Sequence, residues 1–143
     1  MSNNQNITNK SFLKKYFNQF KALIEPTDVL LENLSSFAQS LKKMHSQGNK
    51  ALIVGNGGSA AIASHFSVDL TKNASVRCIN FNEADLITCF ANDYGFDDWI
   101  KHAVRFYGDE GDIFIAISSS GKSKDIINGC VSAKENNFSK IVT

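Results

Sequence analysis

The stretch "LIVGNGGSAAIASHF", residues 52–66, decides the fold class of this chain. Its apolar start, together with Ala51, is bounded by Gly55 and predicts a short buried strand, and apolar residues take up helical spacing from Ala60 onward. The glycines therefore lie at a turn from a strand into a helix. At such a turn, backbone N–H groups and the positive end of the helix dipole face outward, and small residues let an anion approach closely. The stretch predicts a site for a phosphate or another oxyanion.

Strand and helix patterns alternate through the rest of the chain. The first strand is predicted at 51–54, and the others are predicted at 76–81, at 113–117 and from Lys140. Helical segments are predicted from Ser59, at 84–90, at 99–107 and from Ser123. Repeated strand–helix units are typical of a parallel, doubly wound sheet, so we predict an α/β fold.

Two amphipathic helices are predicted ahead of the first strand. The first is stopped by Pro26, and the second is capped by Thr27 or Asp28 and ends near Gly48. No strand interrupts the pair, so we predict a helical hairpin over 8–48, a sheet portion over 50–143 and a single domain over 1–143. The last strand begins only a few residues before the end of the sequence. We therefore expect the domain's C-terminal strand and helices to be missing from this chain.

Composition narrows the class of protein. A length of 143 residues suits one domain. The 15 Lys and Arg residues nearly balance the 14 acidic residues, so the chain has almost no net charge that would attract nucleic acid or an anionic membrane. The three cysteines form no CxxC pair, which indicates structural, reduced thiols. No apolar signal core begins the chain, and no apolar stretch approaches the roughly 20 residues of a membrane span. We expect a cytoplasmic protein with no nucleic-acid or membrane partner.

A second stretch, "GDIFIAISSSGKSKDI" at residues 111–126, places serines after another predicted strand. Hydroxyls and backbone amides that converge at a helix N-terminus can bind a phosphate, although such residues also commonly cap a helix. Open α/β sheets bind ligands at the carboxyl edge of their strands, and two such turns on one edge favour a site. Neither turn fits GxGxxG or GxxxxGK[ST], so we expect no nucleotide cofactor.

Three motifs, taken in their order along the chain, resemble those of the sugar isomerase (SIS) domain family and, within that family, those of the phosphoheptose isomerases. They are the GNGGS turn at 55–59 followed by His65 and Phe66, the ANDYGF segment at 91–96, and the IS-x-SG-x-S loop at 117–123. The resemblance covers nearly the whole chain. It implies a SIS, flavodoxin-like sheet and an aldose–ketose isomerase that converts sedoheptulose 7-phosphate into a heptose 7-phosphate for bacterial surface polysaccharide.

The resemblance also implies a substrate site. It assigns the phosphate to Ser118, Ser119, Ser120 and Ser123, and the sugar chain to the turn residues Asn56, Gly57, Gly58 and Ser59. Asp93 matches an acidic position near the family's sugar site, although Asn-Asp-x-Gly is also a common turn. The usual arginine after the third helix is absent here, and Lys72 is the available substitute, so the substrate can differ.

His65 and Asp69 are four residues apart and share one face of the predicted helix. Aldose–ketose exchange removes a proton from a carbon next to a carbonyl, which calls for a carboxylate base and an acid or a metal. In the family, the histidine matching His65 can bind zinc, and a glutamate matching Asp69 is the base and can touch the metal. Here the carboxylate is one methylene shorter. The alternative is an exposed aspartate beside a packed histidine.

Other classes of function stay open at this point. Some relatives are binding modules that lack the glutamate, including a replication-initiation regulator, and a structural subunit with a vestigial site is a third possibility. The family's remaining ligands, a glutamine and a histidine, come from a C-terminal helix beyond residue 143. Apolar residues of the N-terminal helices exceed what one sheet face covers, and the resemblance implies a homotetramer built on these helices, with a dimer as the fallback.

Overall fold

The computed structural model describes residues 9–143, so the first residue of the predicted hairpin range, residue 8, lies outside the described residues. Within them the elements follow the order α1 (Asn9–Ile24), α2 (Asp28–Ser46), β1 (Ala51–Gly55), α3 (Gly58–Lys72), β2 (Cys78–Asn80), α4 (Ala84–Tyr94), α5 (Trp99–Tyr107), β3 (Ile113–Ile117), α6 (Lys124–Glu135) and β4 (Lys140–Val142). The chain divides into two units, Met1–Ser36 and Phe37–Thr143.

The second unit contains a parallel sheet of four strands in the order β2-β1-β3-β4. In its register Ala51 pairs with Cys78 on one side and with Ile113 on the other, and Ile113 pairs with Lys140. This order is that of a flavodoxin-like sheet, whose direction of winding reverses between β1 and β3. The α/β, doubly wound fold expected from the alternating pattern is confirmed.

Helices cover both faces of the sheet. Alternate residues of β1 and β3 point to opposite faces, which is why both strands are apolar throughout. Residues of α5 and α6 cover one face, in a cluster that includes Leu52, Val54, Trp99, Ile100, Val104, Phe114 and Ile126. Residues of α3 and of the second half of α2 cover the other face, in a cluster that includes Leu41, Met44, Ile53, Ala63, Leu70 and Ile115.

The first unit holds α1 and the start of α2. Both predicted N-terminal helices are present, and the Thr27 hydroxyl accepts a hydrogen bond from the Leu30 N–H at 3.2 Å, so Thr27 is the cap of α2. No residue of α1 is buried. Its large apolar side chains, Phe12, Leu13, Tyr16, Phe17, Phe20, Leu23 and Ile24, are all exposed. That the two helices form a hairpin stays a prediction.

Two boundaries differ from the sequence-based expectations. The strand predicted at 76–81 is only Cys78–Asn80, because side-chain amides replace the backbone ladder where it ends: Asn80 Oδ1 accepts from the Asn82 N–H at 3.0 Å. The helix predicted at 84–90 extends to Tyr94, and Gly95 ends it with φ of 86°. The interpretation of Asn92 and Asp93 as a turn is therefore wrong, since both lie in the last turn of α4.

A buried ion pair stabilises the amino edge of the sheet. Lys50 Nζ lies 2.7 Å from Asp112 Oδ2, and the buried Asp112 also accepts from the backbone N–H groups of Lys50 and Asp109 and from Asn49 Nδ2. Burial lowers the pKa of Lys50, but its hydrogen bonds to Asp109 and Asp112 outweigh that effect and raise the pKa above its usual value of 10.5. The hydrogen bond from Lys50 to Asp109 also lowers the pKa of Asp109.

Among residues 9–143, the structure contains no helix that combines the length and the hydropathy needed to span a lipid bilayer.

Candidate functional site

The turn after β1 passes very close to the helix that follows it. A Cβ added at Gly55 would lie 2.6 Å from the backbone C and O atoms of Ser59, so only glycine fits there without a shift. Gly57 is the N-cap of α3 with φ of 54°, a left-handed conformation that glycine adopts at no steric cost. The Ser59 N–H donates to the Asn56 carbonyl at 3.0 Å. The turn is thus short and directed into the N-terminus of α3.

Two asparagines, one at the end of β2 and one just after it, bond to the end of β1 and hold the start of this turn. Asn82 Nδ2 donates to the Gly55 carbonyl at 2.7 Å, and Asn82 Oδ1 accepts from the Gly55 N–H at 3.3 Å. Asn80 Nδ2 donates to the Ile53 carbonyl at 3.1 Å. The sequence analysis missed both residues. The signal that could have found them is the pair of amide side chains flanking Phe81 at the end of a strand.

The serine loop after β3 is partly ordered by its own hydroxyls. Ser118 Oγ accepts from the Gly121 N–H at 3.2 Å, and Ser120 Oγ accepts from the Lys122 N–H at 3.1 Å. Each of these hydroxyls keeps its hydrogen for donation to another group. Ser119 is exposed.

Ser123 occupies the N-cap position of α6, yet within the described residues its side chain makes no capping hydrogen bond. The Ser123 hydroxyl therefore does not cap α6, contrary to the interpretation of this serine as a helix cap. The amides of the first helical turn need partners from outside the helix, and a phosphate is a suitable one.

One buried carboxylate joins the two turns. Asp125, 3% exposed, lies in the first turn of α6, and its Oδ2 accepts from Asn56 Nδ2 at 2.7 Å and from Trp99 Nε1 at 3.2 Å. The structure thus brings the turn after β1 to the start of the helix after β3, as expected for two turns on one edge of the sheet. The sequence analysis did not identify Asp125 or Trp99 as residues of the site.

His65 and Asp69 lie on the outer face of α3. His65 Nε2 is 3.7 Å from Asp69 Oδ2, their side chains are 80% and 47% exposed, and Asn73 Nδ2 donates to Asp69 Oδ1 at 3.0 Å. Both line an open hollow with Ala61, Ile62 and Phe66. The shared face predicted from the spacing is present, but His65 is not packed.

Asp69 is far from the turn along the helix. It lies eleven residues beyond Gly58, the first residue of α3, and at 1.5 Å per residue the two are about 16 Å apart along the axis. A fully extended seven-carbon chain spans roughly 7 Å, since three backbone bonds cover about 3.5 Å. The carbon chain of such a sugar is therefore shorter than the axial distance between Gly58 and Asp69.

The two residues do not complete a metal site. Within residues 9–143, no group of three or more His, Cys, Asp or Glu side chains is placed to hold a metal ion. Structural and catalytic zinc sites take three or four protein ligands. His65 and Asp69 would supply two of them.

Asp93 is exposed and makes its hydrogen bonds within α4. In the described part of the chain, its carboxylate accepts from Asn92 Nδ2 at 3.0 Å and from Cys89 Sγ at 3.8 Å, and it bonds to neither turn.

Comparisons with known proteins assign the family. The family model of the SIS domain matches residues 15–142. The phosphoheptose isomerase of Fusobacterium nucleatum is 37% identical over 129 residues, which are 87% of this chain and 66% of that protein. The phosphoheptose isomerase of Sulfurimonas denitrificans is 31% identical over 138 residues, which are 92% of this chain and 70% of that protein.

A solved structure agrees with the sequence matches. The phosphoheptose isomerase of Neisseria gonorrhoeae superposes with a TM-score of 0.83 at 30% identity, over 92% of this chain and 72% of that one. This chain thus spans about two thirds of the length of the Fusobacterium protein and slightly more of the other two. The chain belongs to the SIS-domain family, in its phosphoheptose isomerase group.

Proposed function

We propose that this chain is an aldose–ketose isomerase that converts sedoheptulose 7-phosphate into a heptose 7-phosphate. The observation that carries the proposal is the bond between Asn56 and Asp125, because it joins two hydroxyl- and glycine-rich turns at one edge of a parallel sheet. Relatives named phosphoheptose isomerase support the same reaction.

The loop after β3 would bind the phosphate. Ser118 and Ser120 already accept bonds from loop amides, so their hydrogens are available to phosphate oxygens, and the Ser123 hydroxyl is not used as a cap. Ser119 would add an exposed hydroxyl. The start of α6 contributes backbone amides and the positive end of its dipole. In the other turn, Asn56, Gly57, Gly58 and Ser59 would contact the sugar chain, and Asp93 would hydrogen-bond its hydroxyls from α4.

Asp69 would act as the base. Its carboxylate takes the proton from the carbon next to the substrate carbonyl while the carbonyl oxygen gains a proton, which gives an enediol. The carboxylate then returns the proton to the former carbonyl carbon, and the hydroxyl on the neighbouring carbon loses its proton to form the isomeric carbonyl. The bond from Asn73 holds one carboxylate oxygen and leaves the other for the proton. Because Asp69 is about 16 Å along α3 from the turn, the base for one site would come from a second copy of the chain.

A shared site requires assembly, and we propose a homotetramer formed through the N-terminal helices. The exposed apolar side chains of α1 support this, because a soluble protomer rarely leaves so large an apolar surface uncovered. A zinc ion held by His65 and Asp69 would need further ligands, and when bound it would stabilise the developing enolate oxygen. The remaining proposals are a cytoplasmic location and a role in making bacterial surface polysaccharide.

The test is proton exchange catalysed by the full-length protein. Sedoheptulose 7-phosphate is incubated in deuterated water, with and without zinc, and deuterium at the carbon next to the carbonyl is followed by NMR together with the isomeric product. We expect exchange by the unmodified protein, none by Asp69→Asn, and normal exchange by the control Glu135→Gln, an exposed acid on α6. Binding of the sugar phosphate without exchange by the unmodified protein would instead indicate a binding module. Normal exchange by Asp69→Asn would exclude Asp69 as the base.

A further inference from the structure

The carboxylate of Asp125 has different surroundings from those of most acidic residues at the start of a helix. An acidic residue there normally faces solvent and interacts with the helix dipole. Asp125 is instead 3% exposed, and one of its oxygens, Oδ2, accepts from two side chains that belong to other elements, Asn56 and Trp99. Two N–H donors on a single oxygen suit an ionised carboxylate, which accepts hydrogen bonds and donates none.

This arrangement fixes the orientation of the Asn56 amide. A carboxylate can bond only to the NH₂ end of the amide, so Nδ2 must face Asp125 and Oδ1 must face away from it. The buried Trp99 indole limits any compensating movement, because it donates to the same oxygen from α5. Asn56 itself is only half-buried, and its Nδ2 is the end of the amide that is bonded to Asp125.

We propose that Asp125 is a positioning residue, which orients Asn56 so that Oδ1 is presented as an acceptor for a hydroxyl of the sugar chain. This inference rests on the proposed function, since it assumes that a sugar phosphate binds at the two turns. It specifies the chemistry of the contact: Asn56 selects a ligand group that donates a hydrogen bond, which a hydroxyl does and a fully ionised phosphate oxygen does not. The phosphate stays with the serine loop.

The experiment compares two ligands and two variants of Asp125. Affinities for sedoheptulose 7-phosphate and for inorganic phosphate are measured by calorimetry for the full-length protein, Asp125→Asn, Asp125→Ala and the control Glu135→Gln. In Asp125→Asn the buried Trp99 N–H still directs an oxygen acceptor to the same place, so the orientation of Asn56 is kept, whereas Asp125→Ala removes the acceptor and the fixed orientation is lost. For Asp125→Ala we expect about five- to tenfold weaker binding of the sugar phosphate, the effect of one hydrogen bond, and an unchanged affinity for inorganic phosphate, whereas Asp125→Asn should bind both ligands nearly normally. Glu135→Gln should bind both ligands normally.

A ligand-free measurement separates this inference from the proposed function. The side-chain NH₂ resonances of Asn56 should be protected from exchange in the unmodified protein and lose that protection in Asp125→Ala. If the unmodified protein binds no sugar phosphate, the proposed function fails, whereas Asn56 protection still decides whether Asp125 orients the amide. Unprotected Asn56 in the unmodified protein, normal sugar-phosphate binding by Asp125→Ala, or equal losses for both ligands would each overturn the inference.

Discussion

Replacing Gly55 by alanine tests whether the close approach of the β1 turn to α3 is required. The new Cβ would lie 2.6 Å from the Ser59 carbonyl carbon and oxygen and 2.8 Å from its Cβ, about 1 Å closer than the 3.5 to 4.0 Å of an unstrained carbon contact. These atoms belong mostly to the backbone of the first turn of α3, so the helix start must move. Overpacking of this kind costs about 1 to 3 kcal/mol, which corresponds to a melting temperature roughly 4 to 10 °C lower.

The displacement should also affect turnover. A shift of about 1 Å at a substrate-positioning turn can reduce the rate on the order of a hundredfold, so kcat/KM for sedoheptulose 7-phosphate should fall more than the loss of stability explains. Thermal unfolding by circular dichroism gives the stability. The matched control for stability is Gly58→Ala, because a Cβ there meets nothing within 4 Å and alanine is the better helix former. A Gly55→Ala protein with the same melting temperature as the unmodified protein would refute the steric argument.

Four further outcomes are expected. Ser120→Ala combined with Ser123→Ala should weaken binding of a sugar phosphate but not of the unphosphorylated sugar in calorimetry, and equal losses would make these serines structural only. Mixing that double variant with Asp69→Asn under subunit exchange should give more activity than the two variants show separately, and no gain would contradict a base supplied by a second copy. The free energy of unfolding of Lys50→Met should be about 3 kcal/mol lower than that of the unmodified protein at neutral pH. Because the Lys50 pKa is raised in the folded state, its contribution is complete below pH 10.5 and is lost as pH rises above that value, so the difference between the two proteins should shrink there. Phe17→Asp should dissociate the assembly in light scattering, and a monomeric unmodified protein or an intact variant assembly would contradict the helical interface.

Local sequence patterns predicted the sheet and both turns because the responsible interactions are local. The run 51–54 is apolar at every position because the strand is covered on both faces, and Gly55 stands where the next helix leaves no room for a side chain. Strand–helix alternation then determines the winding of the sheet, since parallel strands require crossovers. The carboxyl edge of this sheet remains the predicted place for a ligand.

Longer-range contacts could not be predicted in this way. From the sequence, Asp125 looks like an acidic residue that interacts with the dipole at the start of a helix. Its hydrogen-bond partners in the fold are Trp99, 26 residues earlier, and Asn56, 69 residues earlier. The strand β2 ends early because Asn80 and Asn82 bond through their side chains, which residue propensities do not reveal. The same applies to Lys50, whose partner Asp112 is 62 residues away.

The bond from Trp99 to Asp125 has a spectroscopic consequence. Trp99 is the one tryptophan in this sequence, it is fully buried, and its indole N–H is two hydrogen bonds away from the Asn56 amide. Emission excited at the red edge of protein absorbance therefore comes from a single buried fluorophore, which is bonded to the carboxylate that joins the two turns. If a sugar phosphate binds at the two turns as proposed, we expect that emission to change on binding, with no label attached.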